Sequence, residues 1–159
     1  MSRLSEARRN RLKVIEGALS VENQLESIIL QYFLGRSHEK RAVFESLILN
    51  SDWCSFAAKR KLINHIINEE KLLEGKDKNE FEELMKQVMS FRNAFTHGKL
   101  SSDETRVWLS YFESTPREEE LTNEYLTRVE VSLRTANEKA FAIAIKSGAT
   151  QQSEDNREA

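Results

Sequence analysis

Apolar residues recur at three-and-four spacing over most of the chain, which marks helices with one buried face. Ile15, Ala18, Leu19, Leu25, Ile28, Ile29, Tyr32 and Phe33 follow this spacing, with Glu22 in the same sector, and predict a first helix over about 5–34. A shorter piece over about 39–49 carries Val43, Phe44, Leu47 and Ile48 on one side. Asn50, Ser51 and Asp52 read as a turn. Ser55 then stands where an N-cap is wanted, ahead of Phe56, Ala57, Leu62, Ile63, Ile66 and Ile67 in a helix expected to stop near Gly75. Phe81, Leu84, Met85, Val88, Met89, Phe91 and Phe95 predict a further helix over about 78–97, ended by Gly98.

After a polar loop, Ser101 to Glu104, the period changes. Residues 106–112 are rich in β-branched and aromatic types, Ser114-Thr115-Pro116 is a turn signal, and 117–121 is the acidic return strand of a hairpin. Thr122 caps a last helix with Leu126, Val129, Leu133, Ala136, Ala140 and Ile143 in register. The expected fold is all-α, a four- to five-helix up-and-down bundle with a short β-hairpin insert before the last helix. It forms a single domain over 1–147, and 148–159 reads as a polar, disordered tail.

Composition narrows this further. The 159 residues include only 5 Gly and 1 Pro, too few turn formers for most all-β folds. Gly35, Gly75, Gly98 and Gly148 each follow an apolar run, where a left-handed helix C-cap is expected. The single Cys54 excludes an intrachain disulfide and points to a reducing, cytoplasmic setting, and no apolar run suggests a membrane span. Lys and Arg total 24 against 26 Asp and Glu, for a net charge of −2, so any polyanion site must be a local concentration of cations. Two such concentrations exist. One includes Arg8, Arg9 and Arg11 near the start of the first helix, and the other is Lys59-Arg60-Lys61; ordinary solvated faces are the alternative reading of both.

Most catalytic templates are missing: there is no glycine-rich phosphate loop, no His-Glu-x-x-His pair and no Gly-x-Ser-x-Gly elbow. His38, His65 and His97 fall in separate elements without a second ligand one turn away, so neither a metal nor another cofactor is expected. What remains is Arg92-Asn93-Ala94-Phe95-Thr96-His97-Gly98 at a helix end. The bare Arg-x4-His spacing also fits Arg60 to His65, which sits in a charged helix face with no helix end after it. Arg92 differs because it shares a sector with Val88 and Phe95, and a guanidinium there needs a partner or a wet cleft. On a regular helix the five residues from Arg92 to His97 leave the two side chains roughly 140° apart. Two copies about a two-fold axis can bring such groups into one cleft where a single chain cannot. A core-edge arginine and a histidine favoured by the helix dipole are the structural alternatives.

Arg92-Asn93-Ala94-Phe95-Thr96-His97-Gly98 at the end of an amphipathic helix resembles the HEPN signature, Arg-(polar)-x-x-x-His. The long first helix with Leu25, Ile28, Ile29, Tyr32 and Phe33, the Ser55-Phe56-Ala57-Ala58-Lys59 opening of a middle helix, and a closing helix after a short insert are similar to that family as well. The resemblance spans Glu6 to Lys146, with the specific motif confined to Arg92, Asn93 and His97. It implies a bundle that dimerises with its motifs facing. It also implies a metal-independent endoribonuclease of toxin-like or defence-related type, with His97 as acid/base, Arg92 as phosphate clamp and Asn93 as polar orienter. The cationic residues Arg8, Arg9, Arg11, Lys59, Arg60 and Lys61 would approach the RNA. The partners expected are a second copy, RNA, and a protein antitoxin or nucleotidyltransferase. Other members have lost activity, so the alternative is a non-catalytic RNA- or protein-binding module. The hairpin insert, with Trp108 and Tyr111 expected to be exposed, lies outside the minimal family bundle.

Overall fold

The computed structural model describes residues 3–150. Five α-helices and three strands follow in the order α1 (Arg3–Leu34), α2 (Arg41–Phe44), α3 (Phe56–Glu69), α4 (Gly75–His97), β1 (Lys99–Ser102), β2 (Val107–Glu113), β3 (Thr115–Glu120) and α5 (Asn123–Lys146), with a π-helical turn, Glu45–Leu49, continuing α2. The chain is mostly helical, as its spacing predicts. No described helix is long and apolar enough to cross a membrane.

The chain divides into two compact units. One holds the chain up to Val21 together with Glu83–Asn137, and the other holds Glu22–Glu82 with the chain from Glu138 onward. In the first unit, Val14 and Ala18 of α1, Met85, Val88 and Phe95 of α4, Leu109 of β2, and Val129, Leu133 and Ala136 of α5 are buried. Phe95 stacks over Tyr125 with ring centroids 6.4 Å apart. Each large apolar side chain withdrawn in this way contributes roughly 1.5–3 kcal/mol before conformational entropy is set against it. In the second unit the buried set is Leu25, Ile28 and Ile29 of α1, Phe56, Ile63, Ile66 and Ile67 of α3, Phe81 of α4 and Ile143 of α5.

Local chemistry explains the element ends. The Ser55 hydroxyl accepts the Ala58 N–H at 3.2 Å, and Thr122 Oγ1 accepts the Tyr125 N–H at 3.1 Å, so both expected N-caps form. Gly35 and Gly148 have φ of +68° and +77° and close α1 and α5. After α5 the N–H of Gly148 donates to Ile145 O and that of Ala149 to Ala144 O, the two-bond closure of a Schellman motif. Arg36 Nε donates to the Gly148 carbonyl at 2.8 Å. Residues 148–150 thus belong to the helix cap, while 151–159, the rest of the predicted tail, lie outside the described residues.

The structure corrects several expectations. Helix α3 ends at Glu69, not near Gly75, because Lys71 adopts φ +50° and takes the capping role; Gly75 opens α4 instead. The insert is a three-stranded antiparallel sheet in the order β1-β2-β3, not a two-stranded hairpin. Lys99-Leu100-Ser101-Ser102 has little strand character of its own and is made a strand by pairing, with Leu100 opposite the buried Leu109. The hairpin turn is tighter than expected, since Glu113 pairs with Thr115 and Ser114 alone takes φ +61°. Trp108 and Tyr111 are half-buried, and the exposed aromatic is Phe112, at 74%. Leu19, Phe33, Val43 and Leu47, which the spacing places on inward apolar faces, are exposed.

Candidate functional site

The segment that carries the motif is the last turn and a half of α4. Its helical register buries Val88, Ala94 and Phe95, leaves Arg92 half-buried at the edge of that face, and exposes Asn93, Thr96 and His97. Arg92 is engaged by an interaction within the chain. His97 is the final helical residue, its imidazole open to solvent.

A helix end leaves carbonyls without intrahelical donors, and here they are met in two ways. The Gly98 N–H donates to Ala94 O at 2.8 Å. Arg11 of α1 reaches across to donate from its Nη2 to Thr96 O at 2.8 Å. A guanidinium at this position also complements the negative end of the α4 dipole. The sequence places Arg11 in a basic approach surface; its head group also helps fix the turn that holds His97.

Gly98 is required for space and not for a left-handed backbone. Its φ is not positive, and a Cβ at this position would run into the Ala94 carbonyl oxygen and come within 2.8 Å of Leu109 Cδ1. The chain can therefore pass directly from α4 into β1 beneath β2, which sets where His97 stands. Ser90 Oγ, earlier on α4, donates to Glu113 Oε1 at 2.8 Å and ties the helix to the hairpin.

The remaining predicted contact residues separate. Arg8 and Arg9 are exposed on α1 in the same unit as Arg92 and His97, and Arg9 has an interaction of its own. Lys59, Arg60 and Lys61 belong to the other unit. Lys59 is withdrawn from solvent altogether, 3% exposed, with Nζ donating to Glu22 Oε1 and Glu26 Oε1 at 2.6 Å each. Burial pushes its ammonium toward losing the proton, but the two carboxylate hydrogen bonds outweigh that and hold its pKa above the ordinary 10.5. A buried cation already held by two carboxylates is not a phosphate contact, so Lys59 leaves the proposed RNA set. The signal is present in the sequence: Lys59 falls three residues after Phe56 and four before Ile63, on the stripe itself.

Two grooves in the first unit, of about 330 and 600 Å³, are lined by neither Arg92, Asn93 nor His97. The smaller lies between α1 and α5 over Gly17, Val14 and Leu133, with Lys13, Glu130 and Arg134 on its rim. Among the described residues no group of three His, Cys, Asp or Glu side chains converges on a point where a metal could be held. Asn93 and His97 are open to solvent and Arg92 is half-buried beside them, so the helix end offers an imidazole capable of acid–base work and the edge of a guanidinium capable of anion contact. No family model, curated protein or solved structure matches this chain.

Proposed function

We propose that this protein is a HEPN-like helical bundle that acts in the cytoplasm as a metal-independent endoribonuclease. In this reading two copies share a site built from Arg92, Asn93 and His97, and a protein partner restrains a toxin-like or defence activity. The observation that carries it is the end of α4: an accessible imidazole and amide, an arginine on the helix edge, and a turn fixed by Arg11 and Gly98.

The chemistry follows from those groups. An imidazole takes the proton of a ribose 2′-hydroxyl as that oxygen attacks the adjacent phosphorus. The bond to the 5′-oxygen breaks, the leaving oxygen takes a proton from an imidazolium, and a 2′,3′-cyclic phosphate remains. A guanidinium fork on the equatorial oxygens stabilises the charge that builds up, by about 2–4 kcal/mol if it resembles other preorganised donors. On a regular helix one chain presents Arg92 and His97 in different directions, and a second copy supplies the missing partner group.

The test is RNA incubated with the full chain in EDTA. Cleavage with cyclic phosphate ends is expected, lowered about 10²–10⁴-fold by His97→Ala and abolished where the scissile nucleotide lacks its 2′-oxygen. Cleavage indifferent to both changes would refute the reading, as would activity from a strict monomer. One observation favours a second reading, a non-catalytic module: Arg92 is already engaged within its own chain. That reading predicts RNA or protein binding without cleavage, weakened by Arg92→Ala and unaffected by His97→Ala.

A further inference from the structure

Strand β3 is the terminal strand of the sheet, and every residue in it except Glu119 is exposed. Among the described residues, the one backbone bond it makes outside its ladder with β2 is acceptance by Glu120 O from Thr122 N–H. Alternate residues along this six-residue strand, about 20 Å at roughly 3.3 Å per residue, therefore turn main-chain groups away from β2 with no strand to pair them, Pro116 having no N–H to offer. Addition of an extended peptide as a further strand is one way such an edge is covered.

Two features say what kind of strand fits. The first is charge. Glu113, Glu118, Glu119 and Glu120 stand against Arg117 alone in the 113–120 segment, in a chain whose overall charge is only −2. Glu113 and Glu118 have cationic neighbours at 3.6 Å (Arg117) and 3.5 Å (Arg106), whereas Glu119 and Glu120 form no ion pair among the described residues. A second copy of this edge brings like charges together, and a polyanion is repelled by it. A lysine- or arginine-bearing strand is attracted.

The second feature is the outward face. Leu109 points into the core, so Trp108, Ser110 and Phe112 point away from it, and the register sets Phe112 opposite Pro116 and Trp108 opposite Glu120. Phe112 is 74% exposed beside Pro116, an apolar contact with no function inside the fold. Trp108 already has the Arg106 guanidinium over its ring at 4.6 Å, which leaves Phe112 as the free anchor.

We infer that the open β3 edge, with Phe112 at its side, docks an extended basic segment of a partner protein as a fourth strand. The added strand takes its affinity from main-chain pairing and apolar contact, and its choice of sequence from the glutamates. This inference does not rest on the ribonuclease reading, because none of its residues belongs to the Arg92–His97 segment.

The test uses the full chain and a fluorescein-labelled decapeptide of alternating lysine and valine, followed by anisotropy and by amide hydrogen exchange. Binding that weakens with added salt is expected, with slower exchange at outward amides of β3. Phe112→Ser, and separately the pair Glu118→Lys and Glu120→Lys, should each weaken it by about tenfold or more. These positions are exposed, so the variants should fold, which circular dichroism is to check before binding is compared. The inference is overturned if the peptide does not bind, if both variants bind it as well as the parent, or if an oligouridine protects the same amides. Whichever result appears, the RNA cleavage assay reads the other proposal separately.

Discussion

Replacing Lys59 with methionine isolates the least expected feature of this fold. The side chain stays long and unbranched, and the ammonium that lies 2.6 Å from both Glu22 and Glu26 is lost. All three side chains are at most 10% exposed, so water cannot take over from the missing cation. Breaking a buried ion pair from one side costs about 3–5 kcal/mol, because a desolvated charge is left without compensation. Two carboxylates are left here, which argues for the upper end. About 4 kcal/mol, within that range, is the working figure. Against a typical total stability of about 5–15 kcal/mol, that is a quarter or more of the fold's margin.

Urea unfolding followed by circular dichroism reads it directly. With a slope of about 2 kcal/mol per molar urea, the midpoint of Lys59→Met should fall by about 2 M. Lowering the pH should narrow the gap to the parent, since protonating the orphaned carboxylates removes the repulsion. The parent behaves in the opposite sense at the other end of the scale. Its Lys59 pKa is raised, so the stability it contributes is intact below the ordinary 10.5 and is lost only as pH climbs through the higher folded value. Combining Lys59→Met with Glu22→Leu and Glu26→Leu should recover most of the loss by replacing the cluster with apolar packing. A single-variant cost below about 1 kcal/mol would show that the cluster is solvated and would refute the argument.

Three further outcomes are expected. The Cys54 thiol is pushed up by burial, with the Lys59 cation opposing and Glu26 and Glu22 reinforcing; it should resist a thiol-specific disulfide reagent in the native protein and react fully once unfolded. Gly98→Ala should cost about 1–3 kcal/mol in chemical denaturation, since the added methyl meets the Ala94 carbonyl oxygen, which is backbone, and the fully buried Leu109 side chain; a neutral substitution would mean that the α4–β1 junction can relax. Asp103 accepts hydrogen bonds from the backbone N–H groups of Arg106 and Thr105 and from the Thr105 hydroxyl, which hold its carboxyl at about 2, against an ordinary 3.8. Its folded pKa is depressed, so the loop's stabilisation is present above 3.8 and is lost as pH falls through about 2; a carboxyl resonance titrating near 3.8 would contradict it.

The elements are legible wherever local chemistry decides them. Ser55 and Thr122 cap because their hydroxyls reach an N–H three residues on, and Gly35 and Gly148 end helices because a left-handed backbone suits glycine. Lys71 ends α3 in a positive φ with no such preference, its N–H donating to Asn68 O and that of the buried Leu72 to Ile67 O, and nothing in its own side chain announces that. Strand β1 is hidden for a related reason: Lys-Leu-Ser-Ser becomes a strand only because β2 lies beside it. Within the candidate site, the sequence leads to the segment and to its helix end but not to its supports. Arg11 reads as one more surface cation until its partner, a main-chain carbonyl 85 residues away, is known.

That support changes how charge is distributed in the unit containing Arg92 and His97. Arg11 is committed to Thr96 O and Arg9 has an interaction of its own, so the α1 cations cannot be summed as one free patch. A phosphate drawn toward the α4 end would meet Arg8 and the outer nitrogens of Arg11, a modest attraction to which, in the proposed dimer, the arginine of a second copy would add. Along the hairpin from Glu113 to Glu120 the same phosphate meets four carboxylates and one guanidinium. If both proposals hold, the two surfaces select opposite ligands, an anion held by arginines against the negative helix end and a cationic strand at the sheet edge. A partner bound along β3 need not compete with RNA for its contacts, and the sheet reaches α4 by two routes through which that edge could restrain a nuclease, the Ser90–Glu113 tie two residues from Arg92 and the Gly98–Leu109 approach next to His97.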